Sequence, residues 1–153
     1  DLGCGRGEAL EYMKDKHDFN VQGYEIVPSL CQHPLVDQFD GLHRIPEDSN
    51  SWDVVLLNCV LEHILAEDLQ KALSEVQRVA CKAVYIQVEW GKSTMPSNHP
   101  KLYWIGSLAQ SISKRVHTLV ETQTSARLLC VMPPQAPPPK PKAKPLGNPV
   151  MRG

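Results

Sequence analysis

The chain has 153 residues, 42% hydrophobic and 22% charged, with a formal net charge of −1, the profile of one globular domain long enough to bury a core. No apolar run approaches the roughly 18 residues of a membrane span, and no basic stretch followed by an apolar one opens the chain, so no transmembrane helix or secretion is expected and the cytoplasm is the simplest compartment. From Pro133 onward Lys140, Lys142, Lys144 and Arg152 stand without any acid, leaving about −5 on the rest, which argues against a nucleic-acid backbone as partner and for a small-molecule substrate.

After Asp1-Leu2 and a glycine-rich loop, Ala9, Leu10 and Met13 give residues 8–16 the spacing of a short amphipathic helix. Residues 21–27 (VQGYEIV) read as a strand, stopped by Pro28-Ser29. A short helix could start there, but few residues remain before Pro34, so this crossover is brief. Residues 35–39 are a short expected strand, followed by the turn-rich Ile45-Pro46-Glu47-Asp48-Ser49-Asn50-Ser51. Residues 52–57 (WDVVLL) form the near-continuous apolar run of a central parallel strand.

Leu65, Leu69, Ala72, Leu73, Val76 and Ala80 then recur every three or four residues, giving the clearest helix. Residues 83–88 (AVYIQV) are the next strand, and Gly91, Pro96 and Pro100 mark 89–101 as a loop. Trp104, Ile105, Leu108, Ala109 and Ile112 restore helical spacing, and residues 116–122 and 126–132 lie close enough to form a hairpin. The alternation predicts an α/β fold: a mostly parallel sheet with helices on both faces and a C-terminal antiparallel hairpin at its edge. Eight of the last 21 residues are proline and none is aromatic. The domain is therefore assigned to 1–132, with 133–153 a disordered or polyproline-like tail whose lysines suit a protein partner of the SH3 type.

Five scattered cysteines without a C-x-x-C pair, and six histidines without ligand spacing, predict free thiols and no metal. The chemistry lies elsewhere. Asp1-Leu2-Gly3-Cys4-Gly5-Arg6-Gly7 is a D-x-G-x-G-x-G run placed where a strand hands over to a helix. Glycines there let the backbone turn tightly and approach a ligand closely, and the helix N-terminus favours an anionic group. Glu25 stands 20 residues beyond Gly5, where an acid at a strand end can accept hydrogen bonds from both ribose hydroxyls of an adenosine cofactor.

Together with Gly23-Tyr24-Glu25-Ile26, Ile45-Pro46-Glu47-Asp48, Ser51-Trp52-Asp53-Val54-Val55 and Val60-Leu61-Glu62-His63-Ile64, these motifs resemble, in order and spacing, the type 11 family of class I S-adenosylmethionine-dependent methyltransferases. The similarity covers residues 1–132 and extends to the compact MetW-like branch. It implies a Rossmann-like fold in which S-adenosylmethionine binds at the C-terminal ends of the strands. Gly3, Cys4, Gly5 and Gly7 would surround its methionine part, and Asp1 would order the loop or meet the amine. Glu25 would hold the ribose and Ile26 would cover an adenine face. Asp40, Gly41 and Leu42 would lie near adenine, Asn58, Cys59 and Val60 beside the methyl group, and His63 near the cofactor or substrate.

Methyl transfer rests mainly on alignment of the acceptor, so a general base is optional. The catalytic candidates are Glu62, His63, His99 and Tyr103; the last two also read as ordinary loop and helix-start residues. A nicotinamide site is disfavoured because Glu8 replaces the glycine or alanine that G-x-G-x-x-G requires, and Asn58-Cys59-Val60-Leu61 stands where a nucleic-acid base methylase carries [DN]-P-P-[YFW]. The alternative is a methyltransferase-like cofactor-binding or regulatory subunit acting through a protein partner. The family's first strand precedes the aspartate and lies in mid-sheet, so a few apolar residues are expected before Asp1. Direct pairing of the strands on either side of it would refute that expectation.

Overall fold

The structure, a computed structural model, describes residues 1–39, 44–90 and 99–134. Asp40, Gly41 and Leu42, and all of the tail beyond Pro134, lie outside the described residues. The elements run α1 (Glu8–His17), β1 (Gly23–Glu25), β2 (Val36–Gln38), β3 (Trp52–Asn58), α2 (Ala66–Val79), β4 (Ala80–Glu89), α3 (Lys101–Ser111), β5 (Val116–Glu121) and β6 (Ser125–Val131). Single 3-10 turns occupy Pro28–Leu30 and Leu61–His63.

β1 pairs in parallel with β2, and β3 with β4. β6 then runs antiparallel between β4 and β5, so the hairpin's first strand becomes the sheet edge. Leu2 joins the two groups through parallel bridges to Tyr24 and Leu57, with Leu2 N–H donating to Leu56 O at 3.0 Å and Tyr24 N–H to Asp1 O at 2.9 Å. Among the described residues β1 and β3 do not pair with each other directly.

α2 forms because Leu69, Ala72, Leu73, Val76 and Val79 make one buried stripe, with Glu67 and Asp68 at its positive end and Arg78 at its negative end. α1 buries only Leu10. Adjacent strand residues face opposite sides, and β1 shows which helix takes which side. A Cβ on Gly23 would meet Leu10 Cδ1 at 2.4 Å, whereas Tyr24 joins the core with Leu69, Leu73 and Val76. Helices therefore flank both faces, as expected. α2 and α3 cover Val84, Ile86 and Val88, which are fully buried. The alternating Tyr85 and Gln87 are only half-buried, and Val54 and Val120 are 46% and 47% exposed. Among the described residues this face is thus partly exposed at β3 and β5.

Three boundaries differ from the sequence reading. The strand expected over 21–27 contracts to three residues because the Glu25 carboxylate takes the N–H of Val27 at 3.0 Å, removing it from the ladder. The helix considered after Pro28 is only a 3-10 turn. β4 begins three residues early, directly from the end of α2. The stretch before β3 has no helix among its described residues and is held instead by side chains. Arg78 donates to Ile45 O at 2.8 Å, to Glu47 O at 2.7 Å and to Glu75 at 2.7 Å, while Glu75 accepts the Ile45 N–H at 3.0 Å. The Arg78 hydrogen bonds hold the Glu75 carboxyl below its ordinary range. Among the described residues no helix is long and apolar enough to cross a membrane.

Candidate active site

The glycine loop leaves Leu2 at the sheet and turns back through left-handed backbone at Gly3 (φ 70°) and Gly5 (φ 58°). A side chain at Gly3 would sit 2.6 Å from Val60 Cγ2, so the loop packs directly on the exit of β3. At Gly5 nothing lies within 4 Å of the Cβ direction: the loop's outer side opens there. Cys4 and Gly7 face the other way. The Cys4 sulfur packs toward Gly23, and Gly7 is buried against Val36 and His33. Burial pushes the Cys4 thiol up.

Glu25 closes this arrangement. It is 7% exposed, with one carboxylate oxygen accepting the Gly5 N–H at 2.9 Å and the other the Val27 N–H at 3.0 Å. The acid at the strand end thus fixes both the loop and its own strand exit. At the base of the loop, Asp1 Oδ1 is a buried acceptor without a partner among the described residues.

Beside the loop lies a pocket of about 200 Å³. Gly3, Ile26, Val60 and His63 of the expected site line it, with Ile26 57% exposed at its rim. Tyr24, Phe39 and Ile45 also line it, together with Ala72 and Val76 of α2. None of these three was expected as a site residue. Tyr24 and Phe39 meet edge to face at 5.7 Å, and the Tyr24 hydroxyl donates to Glu47 Oε1 at 2.6 Å, which with burial pushes the phenol far up. The period-two alternation of β1, which sends Tyr24 to the face opposite Leu10, was the available signal.

At the end of β3, Asn58 is exposed and Cys59 adopts left-handed backbone, φ 56°, with its N–H donating to Gln87 O at 2.9 Å. A non-glycine residue in that region is a strained position of the kind concentrated at functional sites. Glu62 is fully buried; Oε1 accepts the Glu89 N–H at 3.2 Å and Oε2 has no partner. Burial pushes its carboxyl up. His63 is exposed at the pocket, its N–H bonded to Val60 O at 3.0 Å. His99 and Tyr103 come together as a stacked pair at 3.7 Å, against Trp104, whose indole N–H donates to His99 O at 3.0 Å. That cluster sits at the N-terminal end of α3 and does not line the pocket.

Residues 1–86 match the family model described as "Methyltransferase domain". No curated protein matches the chain by sequence. Solved structures similar to it include a SAM dependent methyltransferase from Archaeoglobus fulgidus, 15% identical with a TM-score of 0.69 over 86% of this chain and 84% of that one. Another from Aquifex aeolicus is 19% identical, with a TM-score of 0.64 over 86% and 80%. A protein in complex with the Haloferax volcanii Trm112 methyltransferase activator is 14% identical, with a TM-score of 0.68 over 89% and 81%. At such identities the structures speak for the fold, while the family match spans more than half of the chain. The chain belongs to the methyltransferase-domain family.

Proposed function

We propose that the chain methylates a small-molecule acceptor at the C-terminal ends of β1 and β3. The observation that carries this reading is the Gly5 to Glu25 hydrogen bond, which brings the glycine loop to the strand-end acid beside an apolar pocket. The residues present fit the cofactor. Each Glu25 oxygen accepts one backbone N–H and retains capacity for a ribose hydroxyl. Ile26 offers apolar surface to adenine, the open side of Gly5 admits the methionine part, and Asp1 Oδ1 supplies an uncommitted acceptor. When bound, S-adenosylmethionine supplies an already activated methyl group, the acceptor's lone pair forming the new bond as the S–CH3 pair returns to sulfur. The protein's part is orientation: Gly3 against Val60 and the strained Cys59 fix the floor on which the acceptor is aligned.

Calorimetric titration with S-adenosylmethionine and S-adenosylhomocysteine is expected to give saturable binding, and Glu25→Ala to weaken it at least about tenfold. Folded protein that gives no heat with either compound overturns the reading. A second reading, action through a protein partner, is favoured by the exposure of Val54 and Val120 on the α1 face among the described residues. Labelled methyl transfer by the chain alone and with candidate partners separates the two.

A further inference from the structure

One polar row crosses the α1 face of the sheet at the C-terminal end of β3. The register aligns Asn58 with Gln87, and Gln87 with Arg127, across β3, β4 and β6. Their neighbours Leu57, Ile86, Val88, Ala126 and Leu128 are buried in the core, so by strand alternation all three project from the opposite face. Gln87 links the row. Its Nε2 donates to Cys59 Sγ at 3.4 Å, and its Oε1 accepts from Arg127 Nε at 3.0 Å. The exit of β3 is thereby tied to a guanidinium two strands away.

Arg127 is exposed, and among the described residues it has no carboxylate partner. With Nε committed to Gln87, its terminal nitrogens are left to donate outward, in the planar fork that matches a carboxylate. A single guanidinium balances one negative charge, which favours a carboxylate over a phosphate dianion. In the next row Leu56, Tyr85 and Leu129 align in the same register and are half-buried, an apolar strip directly below the polar one.

We propose that Arg127, held by Gln87, anchors the carboxylate of the methyl acceptor, making the acceptor a small organic acid. This rests on the reading that a small acceptor is methylated at the end of β3. Arg127 selects the acceptor and does not contact the cofactor.

The test uses the full chain loaded with S-adenosylhomocysteine, whose own affinity checks the cofactor reading independently. Benzoate, phenylacetate and butyrate are titrated calorimetrically beside their primary amides. At least one acid is expected to bind saturably, with its amide at least about tenfold weaker. Arg127→Gln lowers the acid to the amide's level and leaves the S-adenosylhomocysteine affinity unchanged, while Arg127→Lys retains part of the preference. Three results overturn the proposal: no acid binds, an amide binds as well as its acid, or Arg127→Gln weakens both equally. Failure of S-adenosylhomocysteine to bind folded protein overturns the underlying reading instead, and the proposal with it.

Discussion

The two ends of the sheet are stabilised by different means. Around β3, β4 and β6 the interior is apolar and sealed: Leu73, Val84, Ile86, Val88, Trp104, Leu108, Leu128 and Cys130 have no exposed surface. Around β1 and β2 the strands are three residues long, and directed hydrogen bonds hold the chain. Glu25 ties the glycine loop, Arg78 and Glu75 grip the Ile45 segment, Tyr24 reaches Glu47, and Gln22 Nε2 donates to Leu35 O and Asp37 Oδ2 at 3.2 Å each. A crossover shortened to a 3-10 turn leaves little apolar surface to bury, so polar geometry must fix the loops. The candidate active site lies on the seam between these regimes, with its loop on the polar side and Cys59, Glu62 and Gln87 on the apolar one.

The largest effect should come from the sealed half. Trp104→Ala removes a fully buried indole and leaves the His99 carbonyl without its donor, so a loss of about 3–5 kcal/mol is expected in denaturant unfolding. A loss smaller than that of the polar variant below would break the contrast, because burial would then not dominate here.

In the polar half the corresponding change is Arg78→Met. It strips donors from two backbone carbonyls and a carboxylate at once, for an expected loss of about 3 kcal/mol. Native-state hydrogen exchange sharpens the comparison. Protection at Ile45 should fall well before that at Ile86, since only the former depends on the clamp; equal loss at both sites would show that the two halves unfold as one unit.

The same division decided what could be read from sequence. β3, α2, β4, α3 and the terminal hairpin were legible within a few residues because apolar periodicity both defines them and holds them. β1 was overestimated because VQGYEIV has strand composition throughout, while its end is set by one side chain capturing the Val27 N–H. In the site, the register between Gly5 and Glu25 was legible and corresponds to a real hydrogen bond. Which loop residues face outward was not: the glycine pattern does not distinguish the open Gly5 from the packed Gly7. The wall of Tyr24, Phe39 and Ile45 was missed because it depends on how a helix-poor crossover folds back onto α2.

Glu62 is where the two regimes meet, a carboxyl buried in the apolar half with one oxygen satisfied and one orphaned. Burial pushes its folded-state pKa above the ordinary 4.5, partly offset by the Glu89 N–H and the nearby His63. A raised folded value means that the native state binds the proton more tightly than the unfolded chain does. Its contribution to stability is then fully present below about pH 4.5 and is lost as the pH rises through the folded pKa. Glu62→Gln keeps an acceptor for the Glu89 N–H and removes the charge. The variant should match the native chain in acid and be more stable at neutral pH, by less than either effect above. Urea unfolding of both proteins across pH 4 to 8 measures this directly. A variant less stable than the native chain at neutral pH would mean that the ionised carboxylate is wanted there, and that Glu62 belongs with the polar clamps instead.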